Sequence, residues 1–206
     1  MKRRTLAIVF AWCALALVAQ NSIKVNYKGS KPTISDFGWS YLSQAIISDG
    51  DCIDESTNAI KQAWINHRKG LPLDKGDKLT IDEKNGYAVY ESVYENSMLR
   101  IEMCYWNEAD GKHKLFAYNI KGFQDGKYSP GQFDGLYFWR YSNSKKKMTR
   151  CDAPGFELVF CTEDGDQISY DLPRVGKNIV VNVWKDSGKE SRTLKWNGRR
   201  FSPPSR

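Results

Sequence analysis

The sequence predicts an α+β protein in which two N-terminal helices precede a long antiparallel β-meander of about eight to ten strands. Between Asp36 and Lys69, apolar residues recur at helical spacing, whereas from Lys78 onward they alternate with polar ones. Turn signals follow about every ten residues, which is typical of consecutive hairpins rather than of strand–helix–strand units. A sheet of this length needs cover on at least one face, so we expect it to lie partly under the helices, or to curl into a partial barrel or a sandwich.

The first twenty residues have the order of a secretory signal. Basic residues at positions 2–4 precede an unbroken apolar run from Leu6 to Val18. This run is shorter than the about 20 residues that a transmembrane helix needs, although a retained N-terminal anchor is the alternative. We therefore expect residues 1–20 to be a signal peptide. The mature chain would be exported, to the periplasm or outside the cell, without inserting into the membrane.

The rest of the chain divides into three parts. Residues 21–35 are mostly polar and contain glycine, which predicts a flexible lead-in. Residues 36–202 carry all the periodic segments and are expected to form a single α+β domain. The adjacent prolines Pro203 and Pro204 predict a short disordered tail over residues 203–206.

Both helices have start signals and an apolar face. Thr33 and Asp36 have the spacing of a capping box, and Gly50 is expected to end the first helix. Asp51 or Asp54 is expected to cap the second helix. The residues that we expect to be buried against the sheet are Tyr41, Leu42, Ile46, Ile60 and Trp64.

The strands are bounded by short turn motifs, including Asp110-Gly111 and Asp164-Gly165, the second of which is typical of a two-residue hairpin. A glycine-rich loop from Gly122 to Gly135 interrupts the meander. Strands are expected at residues 79–81, 87–93, 99–106, 114–120, 136–141, 148–151, 156–161, 167–172, 178–184 and 192–196.

Composition excludes several classes of protein. Hydrophobic residues make up 41% and charged residues 27%, which excludes collagen-like, coiled-coil and wholly disordered chains. The net charge is +7, but without the three basic residues of the leader the mature chain has 28 basic against 24 acidic residues. This small excess does not favour a nucleic-acid partner, and Lys145 to Lys147 are expected to form a solvated turn.

Four cysteines remain once Cys13 leaves with the signal. An even number in an exported protein permits two disulfides with three alternative pairings, and reduced, buried thiols are the other interpretation. Their spacing does not resemble a zinc site. The disulfide candidates are Cys52, Cys104, Cys151 and Cys161.

No catalytic motif is found, and we predict no catalytic residue, no metal and no cofactor. Nucleophile, phosphate-binding and zinc-protease motifs are missing from the sequence, and its two histidines leave little for general base catalysis. The acidic segment Asp49 to Glu55 departs from a calcium loop, because Ile53 and Asp54 occupy positions where a ligand and a glycine are needed.

The most informative feature is an aromatic stripe in one strand. Tyr137, Trp139 and Tyr141 alternate with Leu136, Phe138 and Arg140, so the three aromatics share one face. Exposed aromatic residues of this kind bind sugars or peptide side chains, so these three form our candidate ligand platform. The alternative is that the stripe belongs to the core, since neither face is polar enough to be plain solvent surface.

Three segments resemble those of uncharacterised small exported proteins of gut-type bacteria. They are Lys114–Asn119, Leu136–Asn143 and Lys146–Met148, and they follow a helix that begins near an Asp-Phe pair, as at Asp36-Phe37. The resemblance covers most of the chain from Asp36 to Phe201. It implies an exported α+β protein and indicates no functional residues.

These observations predict an exported, non-catalytic binding module. The expected partner is a protein, a peptide or a glycan. The rival interpretations are a carboxylate-dependent hydrolase and a structural or inhibitory envelope protein.

Overall fold

The computed structural model describes residues 22–44, 55–131, 134–156 and 166–203. These residues form two helices, α1 (Ile34–Gln44) and α2 (Glu55–Lys69), and twelve strands. The strands are β1 (Ser22–Lys24), β2 (Asp77–Asp82), β3 (Tyr87–Tyr94), β4 (Ser97–Asn107), β5 (His113–Gln124), β6 (Lys127–Tyr128), β7 (Gly135–Ser142), β8 (Lys147–Cys151), β9 (Gln167–Asp171), β10 (Ile179–Lys185), β11 (Gly188–Trp196) and β12 (Phe201–Ser202). The predicted α+β class is confirmed. The predicted signal, the tail from Pro204 and the hairpin at Asp164-Gly165 lie outside the described residues.

The strands form two antiparallel sheets. The larger one has the order β1-β8-β7-β5-β4-β3-β2, with β6 paired to β5, and the smaller one has the order β12-β11-β10-β9. Helices α1 and α2 cover one face of the larger sheet, and the smaller sheet covers the other. The meander is therefore the central layer of a three-layer arrangement.

Alternation along β5 shows why both faces need cover. Phe116 and Tyr118 lie on the helix side, where they join Phe37 and Trp64 in one core. On the other side of β5, Leu115 and Ala117 belong to a second core. They share it with residues of the smaller sheet, among them Ile179, Val181 and Phe201. A strand in a middle layer is apolar on both faces, because neither face contacts water.

The predicted apolar faces of the helices are largely confirmed. Leu42, Ile60 and Trp64 are buried. Tyr41 is half-buried and packs on the sheet, and Ile46 lies outside the described residues. None of the helices in the described ranges is long and apolar enough to cross a membrane.

The lead-in predicted to be flexible contains an ordered strand, which corrects that prediction. In β1, Ile23 lies opposite Met148 of β8, and both Ile23 and Val25 are buried. Two apolar residues in a short polar segment are a weak sequence signal, and an edge strand is stabilised by its neighbour rather than by itself. One half of the predicted capping box is present, since the backbone N–H of Thr33 donates to Asp36 Oδ2 at 2.8 Å and α1 begins at Ile34. The Thr33 hydroxyl donates to the same oxygen at 3.0 Å.

Candidate functional site

The predicted aromatic platform lies in the helix-side core instead of on an open surface. Tyr141 is fully buried and Trp139 is 6% exposed. Tyr41 of α1 packs edge-on against Trp139, and Phe37 packs in the same way against Tyr141. The half-buried Tyr137 is covered by the Arg150 guanidinium, 4.6 Å from its ring. The stripe is buried because β7 is an interior strand of a sheet covered on both faces.

The two cysteines within the described ranges are free thiols, Cys104 and Cys151. In the register of the larger sheet, Cys104 faces Ala117, Ala117 faces Phe138, and Phe138 faces Cys151. Three strand spacings of about 4.8 Å separate the two thiols, well beyond the Cα separation of about 7 Å that a disulfide tolerates. A Cys104–Cys151 disulfide is therefore excluded, whereas Cys52 and Cys161 lie outside the described residues.

A cavity at one end of the larger sheet brings together polar residues that are far apart in sequence. Its volume is about 480 Å³, and we call it the lysine pocket. It lies between the segment that precedes α1, the β4–β5 connection and the β7–β8 turn. Its lining consists of Tyr27, Ser30, Lys31, Pro32, Asn107, Glu108, Gly111, His113, Lys114 and Asn143.

Lys114 is the unusual residue of this pocket. It lies on the helix side of β5, in line with Phe116 and Tyr118, and is only 8% exposed. Its Nζ donates to the amide oxygen of Asn107 and lies 4.6 Å from the ring centroid of Tyr105. Burial, together with the nearby charge of Lys31, lowers the pKa of Lys114. An ammonium held in this way is poorly compensated, because an amide oxygen and an aromatic ring carry no full negative charge.

The carboxylate that lines the pocket is already engaged. Both oxygens of Glu108 accept hydrogen bonds from the Arg140 guanidinium, at 2.7 and 2.5 Å. The nearby Asp110 carboxylate lies 2.6 Å from His113 Nδ1, and hydrogen bonds from His113 and from the backbone of Lys112 lower the pKa of Asp110 to about 2. Lys31 and Lys114 form no ion pair with any described residue.

Glu108, Asp110 and His113 also place one possible metal-ligand atom each within 4.8 Å of one another. Arg140 lies 2.5 Å from Glu108 and 3.5 Å from Asp110, so a guanidinium already occupies the position where a cation would neutralise these carboxylates. The three side chains are therefore better explained as one arm of an ion-pair network than as a metal site.

The predicted solvated turn lies beside the pocket. Lys145 and Lys146 are exposed, as expected for such a turn. The backbone carbonyl of Lys146 accepts a hydrogen bond from Val25 at 2.9 Å, and the Lys146 ammonium lies 5.2 Å from the ring of Tyr27, which lines the pocket. The turn thus adds positive charge to the rim of the lysine pocket.

A second group of charges lies between the two sheets, and we call it the inter-sheet charge network: Arg100, Glu102, Lys121 and Asp171. Glu102 is 2% exposed, and its carboxylate binds Lys121 Nζ at 2.9 Å and Arg100 at 3.2 Å. Tyr87 and Asn119 also donate to it, at 2.8 and 3.0 Å. The hydrogen-bonding capacity of Glu102 is saturated, which suits a group that holds two sheets together better than a general acid or base.

The carboxylate of Asp171 is about half exposed, unlike that of the buried Glu102. Asp171 also accepts a hydrogen bond from Asn182 at 2.9 Å, which ties β9 to β10. Burial tends to raise the pKa of Asp171, but the Lys121 charge and the hydrogen bonds from Lys121 and Asn182 outweigh it and lower that pKa. Burial, with the adjacent Glu102 charge, raises the pKa of Tyr87. A cleft of about 320 Å³ opens beside Tyr87 and Arg100.

Sequence reasoning missed the lysine pocket. The one available signal was a lysine on the same strand face as Phe116 and Tyr118, since a charged residue at a core position has either a partner or a function. Comparisons with family models, with curated proteins and with solved structures gave no match. The candidate site therefore rests on the geometry of this chain.

Proposed function

We propose that the protein is an exported, non-catalytic binding module whose ligand occupies the lysine pocket. The observation that carries the proposal is a cavity of about 480 Å³ with an incompletely compensated charge in its wall. Sites for small molecules have volumes of about 300–1,000 Å³ and a few well-placed polar groups. The volume of the lysine pocket lies in this range, and its lining is more polar than that of most such sites, which suits a polar ligand.

The lining favours a sugar unit, free or at the end of a glycan, over a peptide. Ser30, Asn107 and Asn143 present hydroxyl and amide groups, which donate to and accept from sugar hydroxyls. Tyr27 adds an aromatic wall, as sugar sites often have. A peptide would need either an extended groove or a free sheet edge with anchoring side-chain pockets, and the lysine pocket is a compact cavity between three loops.

Export is the second half of the proposal. It rests on the basic start and the apolar run from Leu6 to Val18, and on the resemblance to small exported proteins. We expect cleavage near Gln20-Asn21. N-terminal sequencing of protein recovered from the cell envelope or the medium tests it, and a chain that still begins at Met1 would contradict it.

Binding is tested by blocking the pocket without changing its charge. Ser30 is exposed at the pocket rim, so Ser30→Trp places an indole across the opening. Ser187→Trp, on the exposed β10–β11 turn, is the matched control. On a glycan array we expect the parent protein and Ser187→Trp to bind the same sugars and Ser30→Trp to lose them. Equal binding by all three proteins would remove the lysine pocket as the site, and sugar cleavage would favour a hydrolase.

A further inference from the structure

We infer that the ligand of the lysine pocket carries a negatively charged group, a carboxylate, sulfate or phosphate, which Lys31 and Lys114 bind. This inference rests on the proposed function and names the ligand class of the same site. It is carried by a comparison of two buried lysines of the same strand, by the charge around the pocket and by the arrangement of its polar groups.

Of the lysines that the structure describes, two are buried, and both belong to β5. Lys121 lies between two carboxylates, with its Nζ 2.9 Å from Glu102 and 2.5 Å from Asp171. Lys114 has the amide of Asn107 and the ring of Tyr105 instead. Buried charges in proteins are normally paired, because an isolated charge loses its hydration without compensation. Among the described residues Lys114 has no ion-pair partner, and an anionic ligand in the lysine pocket would supply one.

The charge most strongly felt at Lys114 has the same sign. Lys31, which also lines the cavity, disfavours the protonated form of Lys114 and adds to the effect of burial. Two lysines that line one cavity attract an anion more strongly than either alone, and the burial of Lys114 increases its share of the attraction. An anionic group bound between them would favour the protonated form of Lys114.

The other titratable groups at the pocket do not cancel this charge. Glu108 is held by Arg140 through both carboxylate oxygens, and His113 faces Asp110. Lys146, on the rim beside Tyr27, adds a further positive charge. The neutral lining groups are partly engaged, since Asn107 Oδ1 accepts from Lys114 and Asn143 Nδ2 donates to the Gly111 carbonyl. The Ser30 hydroxyl, the Asn107 NH2 and the Asn143 side-chain oxygen are left to bind the uncharged part of the ligand.

The test uses isothermal titration calorimetry at constant ionic strength on the full chain recovered after export. The probes are glucose, glucuronate, glucose 6-sulfate, glucose 6-phosphate and inorganic phosphate. We expect at least one acidic sugar to bind at least about tenfold more tightly than glucose, because a charge-assisted hydrogen bond contributes roughly a factor of ten or more. The three acidic sugars distinguish the charged groups, and inorganic phosphate shows whether the sugar body contributes.

The variants Lys114→Met and Lys31→Met are each expected to lose at least about tenfold in affinity for the acidic probe. Lys127→Met, an exposed lysine of β6 with the same change in charge, is the matched control and should bind like the parent. Equal affinity for glucose and the acidic sugars, no binding of any acidic probe, or unchanged affinity in Lys114→Met and Lys31→Met would overturn the inference.

Failure of this inference is distinguishable from failure of the proposed function. If neutral sugars bind, are lost in Ser30→Trp and are retained in Lys114→Met, the pocket is a binding site and its ligand is not an anion. If Ser30→Trp leaves all binding unchanged, the lysine pocket is not the binding site and the proposed function is contradicted.

Unliganded stability separates a binding role of Lys114 from a structural one. If Lys114 stabilises the fold, its replacement should lower the melting temperature. If Lys114 is instead a buried charge that Lys31 repels, its replacement should leave the melting temperature unchanged or raise it. We expect the second result for Lys114→Met. Because Lys31 is exposed, Lys31→Met keeps the binding test valid even if Lys114→Met does not fold.

Discussion

The ring of Tyr41 lies 4.7 Å from the indole of Trp139, edge-on, and closes the outer side of the aromatic stripe of β7. The same tyrosine lies 4.5 Å from Tyr118 on the neighbouring strand β5. One half-buried helix residue thus links two strands and covers the face that the sequence offered as a ligand platform.

Trp139→Ala should therefore destabilise the protein. We expect a loss of about 3–5 kcal/mol in the free energy of unfolding, as for other buried aromatic residues. Urea unfolding measures it, and Tyr94→Ala is the control, because Tyr94 is 74% exposed and should change stability by no more than about 0.5 kcal/mol. A Trp139→Ala variant as stable as the control would show that the stripe is not part of the core and would again favour a role in ligand binding.

Gly38 of α1 should not tolerate a side chain. A Cβ at this position would lie 2.6 Å from the indole of Trp64 and 3.1 Å from the sulfur of Met103. Alanine normally stabilises a helix by up to about 1 kcal/mol relative to glycine, but forcing atoms into a packed core costs about 1–3 kcal/mol. We expect Gly38→Ala to be destabilising by thermal melting.

A double-mutant cycle identifies the cause. If the indole is what alanine meets, Gly38→Ala should cost less in a Trp64→Phe background than in the parent protein. A Gly38→Ala cost that is the same in both backgrounds would show that the Trp64 indole is not what the added methyl group meets.

Lys121→Met should weaken the contact between the two sheets and lower the free energy of unfolding. It removes the counter-charge that Glu102 and Asp171 share, and breaking one side of a fully buried ion pair costs about 3–5 kcal/mol. Because Glu102 keeps Arg100 and Asp171 is half exposed, we expect a loss near the lower end, about 3 kcal/mol. Lys185→Met breaks the more exposed pair with Glu190 and should cost no more than about 1 kcal/mol. Equal losses in the two variants, measured by urea unfolding, would argue against a structural role for the network.

Asp110 should contribute to stability in a defined pH range. Its pKa is about 2 in the folded chain against 3.8 for the unperturbed group, so its contribution is present above about pH 4 and is lost as the pH falls toward 2. We expect Asp110→Asn to lower the melting temperature at pH 6 and to flatten its decline between pH 4 and pH 2. The exposed Asp186→Asn is the control, and parallel curves for all three proteins would contradict this assignment.

Cys151 should be a slow but free thiol. Burial raises the pKa of Cys151 to about 11, against the nearby charge of Arg140, which lowers it. Since the thiolate is the reactive form, alkylation by iodoacetamide at pH 8 should be at least about tenfold slower than for free cysteine and should accelerate as the pH rises. Mass mapping of the Cys151 peptide measures the rate. A peptide that resists alkylation even in denaturant would reveal a disulfide to a cysteine outside the described residues.

Much of the fold could be predicted because its signals are local. The helical spacing that buries Leu42 and Trp64 and the Asp110-Gly111 turn each depend on a few neighbouring residues. Strand β1 was missed because its three residues are too few to show a periodic pattern. Its extended conformation depends on pairing with β8. The disulfide alternatives could be narrowed only by the register, which counts the strands between Cys104 and Cys151.

The sequence by itself determined the order of the two helices and of the longer strands and the two faces of those strands, but not the short strands β1, β6 and β12. It showed that both faces of β7 are apolar, but not that α1 covers one and the smaller sheet the other. Lys114 and Lys121 have the same chemistry on the same strand, and only the tertiary structure gave Lys121 two carboxylate partners and Lys114 no ion pair among the described residues. The reason is physical: periodicity follows from the local geometry of the backbone, whereas burial and charge compensation depend on distances between residues far apart in the chain.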